Sequence, residues 1–228
     1  LSLQLTGGIM VTTLVGNWLL VGQPLWSMQT LNQVWLLGLF ALASAWVQCG
    51  QLNMLLQLYR ESTTDELTGM MNRRLLMKQL DKARVTMDLK HSPFAVMLLD
   101  LDRFKRINDT YGHAIGDSVL QRFASLLHAD RRAGDLPARV GGEEFALLLP
   151  IDSKSAAADI AAHINRACKA ADWSSIASNL SVTVSVGVAV SHEIDPGKLS
   201  PKTMYGLTDS RLYRAKHEGR DRVMVTAE

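Results

Sequence analysis

The sequence predicts an α/β domain in which helices pack on one sheet, preceded by an apolar helical region. From residue 65 onward, apolar residues alternate between helical and strand-like spacing. Before that, residues 1–59 contain no Asp, Glu, Lys, Arg or His, although the 228-residue chain as a whole has a net charge of +2. This asymmetry of charge indicates two regions that face different solvents.

The charge-free region is long enough to cross a membrane. A bilayer core needs about 20 mostly apolar residues in helical form, and residues 34–56 meet that length. Residues 3–22 form a second, weaker candidate, and residues 23–33 between them are predicted to be a loop. The alternative is a pair of buried core helices, but those normally carry a charged face. We therefore predict a membrane region over residues 1–58 with two transmembrane helices.

The orientation of these helices is predicted from the basic residues near their ends. The loop at 23–33 has none, whereas Arg60, Arg73, Arg74 and Lys78 follow the second helix. Because cytoplasmic flanks carry an excess of Lys and Arg, we expect a multi-pass membrane protein whose charged domain is cytoplasmic.

A linker helix is predicted over residues 59–64. Just before it and at its start, Leu52, Leu55, Leu56 and Tyr59 have the i, i+3, i+4, i+7 spacing of a helical stripe. Two alternatives stay open: the stripe pairs with its twin in a second copy as a short coiled coil, or it packs on its own domain.

The first three elements of the charged region follow from their patterns. Residues 66–90 space their leucines for one helical face, so a helix is predicted there. Residues 93–100, PFAVMLLD, form a short apolar run that is typical of a buried strand. Residues 113–130 are amphipathic with a helical period, which predicts a second helix.

The later elements are predicted in the same way. Residues 137–150 are predicted to form a β-hairpin, in which PARV and FALLLP flank a Gly-Gly turn. Residues 153–171 are rich in Ala and predict a helix, and residues 181–190 alternate as a strand. Residues 200–219 end in a glycine, as a capped helix does, and residues 222–225 form the final strand. The resulting order is αβαββαβαβ.

Acidic residues follow two of these strands. Asp100 and Asp102 end the first strand, and Glu143 and Glu144 lie at the hairpin turn. We expect only one of the two aspartates to reach the hairpin. Carboxylates from neighbouring strand ends suit Mg²⁺ that is also held by phosphates, although a strand-end Asp is more often an ordinary turn or helix cap. The two cysteines match no metal-binding or disulfide spacing.

A polar segment follows the first strand. Residues 104–117 contain Lys105, Asn108, His113 and Asp117. Asn and Asp together can recognise a base edge, and a lysine can meet phosphate. A polar loop followed by an ordinary surface helix explains the segment equally well on physical grounds alone.

These motifs together resemble the GGDEF family of diguanylate cyclases, here in its GGEEF form. They follow the family's order and spacing across nearly all of residues 61–225. The matching pieces are DELTGMMNRR (65–74), DLDRFKRINDTYGHAIGD (100–117), RAGDLPARVGGEEF (132–145), SVGVAV (185–190) and LYRAKHEGRDRV (212–223).

The resemblance implies a catalytic domain over residues 65–228. Its fold is expected to be an α/β sandwich like the palm of nucleotidyl cyclases, with a central, mostly antiparallel sheet. The implied activity is condensation of two GTP into cyclic di-GMP with release of pyrophosphate at the interface of a homodimer. The implied location is the bacterial inner membrane, with no nucleic acid as partner.

The resemblance also implies roles for individual residues. Two Mg²⁺ or Mn²⁺ ions per active site are expected, and Glu143 and Lys105 are expected to be catalytic. The implied metal ligands are Asp100, the backbone carbonyl of Leu101, Glu143 and Glu144. The implied substrate-binding residues are Asn108, His113, Asp117, Gly141, Gly142, Lys216 and Arg220.

An inhibitory product site is implied as well. Arg132 and Asp135 match the family's Arg-x-x-Asp pattern before the GGEEF motif. Family members often add a second arginine in the following helix, where this chain has His163 or Arg166, and the spacing favours His163. The absence of a second arginine at this position leaves open how strong the product inhibition is, but not whether it occurs.

Two other functions compete with an active diguanylate cyclase. The first is a catalytically weak module that binds GTP or cyclic di-GMP and signals through contacts. The second is a related enzyme for another nucleotide, against which the pair Asn108 and Asp117 argues. Degenerate relatives lose a motif acid or a phosphate-binding residue, and this chain keeps them all.

Overall fold

The protein divides into two compact units, Leu1–Arg60 and Glu61–Glu228. The predicted first transmembrane helix, 3–22, lies outside the described residues except at five positions. The structure, a computed structural model, describes residues 28–61, 63–151 and 153–225, together with Gly8, Thr12, Val15, Gly16 and Trp18.

A long helix, α1 (Met28–Glu61), dominates what is described of the first unit. Its segment Leu31–Leu56 is long and apolar enough to cross a membrane, by length and composition alone. The loop predicted over 23–33 is wrong from Met28 onward, because residues 28–33 contain no Pro or Gly to interrupt a helix and α1 begins at Met28. Along this helix Trp35 and Trp46 are 68% and 83% exposed.

The predicted linker helix over 59–64 ends early. Helix α1 stops at Glu61, and Thr64 forms a bridge with Met71 instead. The carbonyl of Thr63 accepts the backbone N–H of Asn72 at 2.9 Å. These bonds to residues 71–72 satisfy backbone groups that a continuing helix would have used.

The second unit contains six strands and five α-helices among the described residues, with two short 3₁₀ helices after the fifth strand. The fold class predicted above is confirmed. In chain order the elements are β1 (Met71–Asn72), α2 (Arg73–Lys90), β2 (Ala95–Leu101), α3 (Phe104–Tyr111), α4 (His113–Ala129), β3 (Leu136–Arg139), β4 (Glu144–Leu149), α5 (Lys154–Ala170), β5 (Val184–Val190), α6 (Pro201–His217) and β6 (Val223–Met224).

The six strands form one sheet in the order β1-β3-β4-β2-β5-β6. The central strand β2 is antiparallel to both neighbours, and β3 and β4 form the predicted antiparallel hairpin. Only the two short edge strands are parallel to their neighbours: β1 pairs with β3, and β6 pairs with β5. The sheet is therefore mostly antiparallel, as the resemblance implied.

Two apolar layers cover the sheet, because side chains alternate along a strand. On β2, Met97 and Leu99 face a core with residues from α4 and α5, such as Phe123. Val96 and Leu98 face a second core with residues from α2 and α6. All seven β2 residues are buried, which explains why that strand reads as an unbroken apolar run.

Two predicted elements need correction. The helix predicted over 66–90 begins only at Arg73, because Asn72 caps its first turn through a 3.1 Å bond from the Leu75 N–H. The segment 104–117 begins with a helix, α3, whereas one of the two interpretations above predicted a polar loop there. Its Phe104 and Ile107 are buried at helical spacing, which stabilises this short helix.

Candidate active site

Three acidic residues are neighbours where β2 and β4 lie side by side. Asp100 on β2 pairs in register with Glu144 on β4, and Glu143 directly precedes it. The backbone N–H of Leu101 donates to the carbonyl of Glu143 at 3.2 Å, which extends the ladder to the turn. Asp100 is only 5% exposed. The strand register therefore brings together the acids that the sequence placed 43 positions apart.

This acidic cluster is short of positive charge. The pKa of Asp100 is raised to about 6, above all by burial; the carboxylates of Glu143 and Glu144 add to the rise, and Lys216 opposes it. Burial and the neighbouring Glu144 also raise the pKa of Glu143, against the effect of Lys216. Such a cluster is stabilised by added cations.

Lys216 is the one cation that the described structure pairs with Asp100. Its ammonium lies 2.6 Å from a carboxylate oxygen of Asp100. Helix α6 carries it there by packing closely on β5 at Gly187. A Cβ atom at Gly187 would lie 2.4 Å from the backbone of Thr208 and of Leu212, so a larger residue would push the helix outward.

The predicted metal ligands are partly gathered. Among the described residues, no group of three or more His, Cys, Asp and Glu side chains is close enough to hold a metal ion. The donors are nevertheless hard oxygens, and burial together with their mutual repulsion raises the pKa of Asp100 and Glu143. That chemistry fits Mg²⁺ or Mn²⁺.

Asp102 has a structural position, unlike Asp100. Its carboxylate accepts hydrogen bonds from the hydroxyls of Thr183 and Ser185 at 2.7 and 2.6 Å and from the backbone N–H of Asp221 at 3.0 Å. Strand β2 ends at Leu101, so Asp102 turns away from the hairpin. Only one of the two aspartates reaches Glu143 and Glu144, as expected.

The Gly-Gly turn folds tightly under Glu144. The backbone N–H groups of Val140 and Gly141 both donate to the carbonyl of Glu144, at 2.9 and 3.2 Å. A Cβ atom at Gly141 would lie 2.6 Å from a carboxylate oxygen of Glu144. At Gly142 nothing lies within 4 Å of such an atom. Close packing against Glu144 therefore explains why position 141 is a glycine, whereas the space beside Gly142 is free for a ligand.

An anchor for this turn was missed by sequence reasoning. The guanidinium of Arg139 contacts both carboxylate oxygens of Asp65 at 3.0 Å and donates to the carbonyl of Gly142 at 2.8 and 3.2 Å. Burial opposes ionisation of Asp65, but Thr68 and Arg139 outweigh it and lower its pKa. Asp65 and Arg139 both lie in segments that resemble the family, so their positions in those motifs could have indicated the pair.

Asn108 lies on α3 against the start of α4. Its side-chain oxygen is buried and has no hydrogen-bond partner among the described residues. A Cβ atom at Gly116 would lie 1.9 Å from that oxygen, so only glycine leaves room for the amide. Lys105, His113 and Asp117 are exposed.

Arg220 is exposed at the end of α6. Its backbone N–H donates to the carbonyl of Ala215 at 3.0 Å, and its φ of 65° is left-handed. The side chain forms no ion pair with a described residue, so it is available for an anion.

A second site lies between α4 and α5. The guanidinium of Arg132 donates to both carboxylate oxygens of Asp135, at 3.3 and 3.4 Å. Both residues line a cavity of about 280 Å³ together with His163, which contacts Asp130 at 3.2 Å. Arg166 is not among the residues that line this cavity. Of the two alternatives for the second position, His163 is the one that lines the same cavity as Arg132.

The chain matches one family model, described as diguanylate cyclase, GGDEF domain, over residues 62–222. Its similar relatives include the response regulator PleD of Caulobacter vibrioides, 39% identical over 73% of this chain and 36% of the relative. The probable diguanylate cyclase DgcT of Escherichia coli is 37% identical over 71% of this chain and 35% of the relative. The chain thus spans about a third of the length of these relatives.

Solved structures show the same fold. The coiled coil and GGDEF domain of DgcB from Caulobacter crescentus, in complex with c-di-GMP, has a TM-score of 0.70 and 30% identity. That match covers 80% of this chain and 96% of the solved one. The GGDEF domain of PA1120 from Pseudomonas aeruginosa has a TM-score of 0.64 and 34% identity, over 71% of this chain and 92% of the other.

Proposed function

The chain belongs to the GGDEF-domain family of diguanylate cyclases, and from this premise we propose that it condenses two GTP molecules into cyclic di-GMP. The observation that carries the proposal is the acidic cluster of Asp100, Glu143 and Glu144, with Lys216 as its only ion-pair partner among the described residues. Carboxylates that lack matching cations suit a site that takes up metal-bound phosphates.

In the proposed reaction, the 3′-hydroxyl oxygen of each GTP attacks the α-phosphorus of the other. Each attack forms an O3′–P bond, breaks the bond from the α-phosphorus to the bridging oxygen and releases pyrophosphate. Glu143 accepts the hydroxyl proton, which its raised pKa favours. Lys105 stabilises the charge that develops on the phosphates.

Divalent ions fit this site. The carboxylates of Asp100, Glu143 and Glu144 and the carbonyl of Leu101 would hold two Mg²⁺ or Mn²⁺ ions, which neutralise phosphate charge and promote loss of the hydroxyl proton. Lys216 already compensates part of the negative charge on Asp100.

The remaining site residues bind and orient GTP. Asn108 and Asp117 contact the guanine edge and His113 lines the nucleotide, while Lys216 and Arg220 hold the terminal phosphates. The glycines Gly141 and Gly142 let the backbone approach the phosphates, and at Gly142 no atom would obstruct that approach. Guanine recognition is supported by the amide of Asn108, which a packed glycine holds in place.

The active form is a homodimer. One subunit supplies one GTP and one set of acids, so two subunits in an antiparallel arrangement complete the reaction centre. The leucine stripe on α1 supports such pairing, since Leu52, Leu55 and Leu56 are 57%, 63% and 51% exposed.

Cyclic di-GMP also inhibits the enzyme at the second site. Arg132 contacts a guanine edge or phosphate with its bidentate guanidinium, and Asp135, 4% exposed, fixes its orientation. A histidine, His163, replaces the second arginine of many relatives and gives weaker feedback. The variant Arg132→Ala should therefore raise the inhibition constant for cyclic di-GMP, and an unchanged constant would contradict this assignment.

The enzyme is anchored in the bacterial inner membrane by residues 1–58, as a multi-pass protein with its catalytic domain, residues 65–228, in the cytoplasm. Support comes from the segment Leu31–Leu56, which carries no charge and exposes its large apolar side chains. Recovery of the full chain in the soluble fraction without detergent would contradict the anchor.

The deciding experiment incubates the purified chain with GTP and Mg²⁺ at a protein concentration that favours dimers. Cyclic di-GMP and pyrophosphate should appear in a ratio of one to two. Binding of GTP without any product would instead favour a signalling module that only senses nucleotides.

A further inference from the structure

A basic cavity lies on the far side of α3 from Asn108. Its volume is about 400 Å³. Helix α3 contributes one face to it, with Arg106 and Thr110 at helical spacing, while Lys105 and Asn108 lie outside its lining. Arg220 is the one residue that the cavity shares with the proposed nucleotide site.

Three arginines line this cavity without a carboxylate partner. Arg103, Arg106 and Arg220 are exposed and make no ion pair with a described residue. The two acids in the lining are already bonded: Asp102 accepts two hydroxyls and a backbone N–H, and Asp221 contacts Lys169 and Asn165. The cavity therefore presents an excess of positive charge to solvent.

The cavity is also where backbone strain concentrates. Four of the five non-glycine residues with positive φ among those described line it: Arg103, Asn179, Arg220 and Asp221, with φ of 57°, 61°, 65° and 48°. Such conformations cost on the order of 1 kcal/mol each and tend to persist at ligand sites. The fifth, His91, caps the end of α2.

Donors other than arginine complete the lining. The hydroxyls of Thr110 and Ser181 and the side-chain amide of Asn179 belong to it. Guanidinium groups bind phosphate oxygens with two parallel hydrogen bonds, and hydroxyls and amides add neutral donors. This combination of guanidinium, hydroxyl and amide groups suits a compact, highly charged phosphate anion. Tyr111 also belongs to the lining, but the charge of three arginines favours such an anion over a neutral nucleobase.

We propose that this cavity binds inorganic pyrophosphate, separately from the nucleotide, as a second anion beside Arg220. This inference rests on the proposed cyclase function, which releases pyrophosphate at the terminal-phosphate end of the same site. The by-product moves past Arg220 to Arg103 and Arg106, and its retention there slows the next turnover because its charge repels the terminal phosphates of the incoming GTP at Arg220.

The test titrates pyrophosphate into the full chain in detergent by calorimetry, with the nucleotide site saturated by a GTP analogue whose α–β bridge is a methylene group. The wild-type chain should still bind pyrophosphate. The double variant Arg103→Asn, Arg106→Gln should bind it at least about tenfold more weakly. Asparagine tolerates the left-handed backbone at position 103, and glutamine keeps the helix at 106.

The matched control is Arg122→Gln, which removes the charge of an exposed arginine that lies outside the cavity lining. It should bind pyrophosphate as the wild type does. Equal affinity in the double variant and the wild type would overturn the proposal, as would failure of the analogue-saturated wild type to bind pyrophosphate. If the double variant does not fold by circular dichroism, Arg106→Gln alone provides the same comparison.

Binding and catalysis separate the two proposals. Without added pyrophosphate the double variant should keep the wild-type initial rate, and added pyrophosphate should inhibit it at least about tenfold less. A chain that binds pyrophosphate in the cavity but makes no cyclic di-GMP would refute the cyclase function and leave the anion site standing.

Discussion

Two carboxylate sites in the second unit, one at the buried Asp100 and one at the half-buried Glu193, have opposite electrostatics. Glu193 receives two bonds from Arg211 at 2.7 and 2.9 Å, one from the N–H of Val190 and one from Lys154. Burial opposes its ionisation, but these bonds prevail and hold its pKa at about 2. Asp100, by contrast, has a pKa of about 6, raised above all by burial.

The difference lies in how the protein balances charge. At Glu193 two cations surround one acid, so the site is complete without a ligand and stabilises the fold. At Asp100, Glu143 and Glu144, Lys216 is the only cation among the described residues that forms an ion pair with one of the three acids, and it also opposes the rise in the pKa of Glu143. Carboxylates left short of cations destabilise the free protein and favour binding of positive ions, which is typical of a functional site.

The largest expected effect concerns the acidic cluster. Glu143→Gln keeps the size of the side chain but removes the proton acceptor, so turnover should fall at least about a hundredfold while the fold is kept. Chromatography of the nucleotide products measures this. The exposed Glu66→Gln is the matched control and should keep its rate. A Glu143→Gln enzyme with wild-type turnover would break the comparison.

The second prediction tests the complete site. Glu193→Gln leaves the guanidinium of Arg211, 4% exposed, without a full counter-charge, so unfolding free energy should fall by about 3 kcal/mol. Urea unfolding of residues 61–228, which hold both apolar cores, measures it. The exposed pair of Glu218 and Arg214 supplies the control, because Glu218→Gln should cost about 0.5 kcal/mol or less. Equal losses would contradict the distinction.

The third prediction uses pH, in buffer with EDTA. Ionised Asp100 is unfavourable in the folded state because its pKa there is about 6, above its ordinary 3.8. Asp100→Asn should therefore stabilise the protein by roughly 2 kcal/mol above pH 7. The gain should shrink as pH falls through about 6 and vanish below about 4. A destabilised variant at pH 7.5 would refute this account.

Glu193 should show the opposite sign in the same titration. Its folded pKa of about 2 lies below the ordinary 4.5, so its contribution is present above pH 4.5 and is lost as pH falls toward 2. The Glu193→Gln variant should accordingly lose part of the acid sensitivity of the wild type in that window. An unchanged acid profile would show that the ion pair does not stabilise the fold.

The smallest expected effect concerns the side-chain amide of Asn108, whose oxygen has no hydrogen-bond partner among the described residues. Gly116→Ala places a methyl group against the amide of Asn108, so the KM for GTP should rise about tenfold, a loss of about 1.4 kcal/mol, and preference for GTP over ITP should fall. Gly206→Ala on α6 is the matched control, because nothing lies within 4 Å of its new atom. An unchanged KM and preference for Gly116→Ala would mean that Asn108 does not read guanine.

Local patterns predicted most elements of the second unit. The run PFAVMLLD and the Gly-Gly hairpin correspond to β2, β3 and β4 within a few residues. Where the prediction was wrong, a distant partner decided the structure. Residues 66–72 have a helical pattern, but β1 pairs with β3, and Arg139 bonds to Asp65 across 74 positions. Helix α3 was readable from its buried Phe104 and Ile107.

The sequence by itself determined the family, the fold class and which residue types the site contains, because motif spacing and apolar periods are local properties. Apolar periods alone left open which of Asp100 and Asp102 joins Glu143 and Glu144; the family resemblance implied Asp100, and the strand register of the tertiary structure places it there. The tertiary structure also placed Arg103 and Arg106, which form no ion pair with a described residue, around one cavity with Arg220. These outcomes depend on strand register and on where helices cross, so charge balance at each carboxylate emerges only when distant segments pack together.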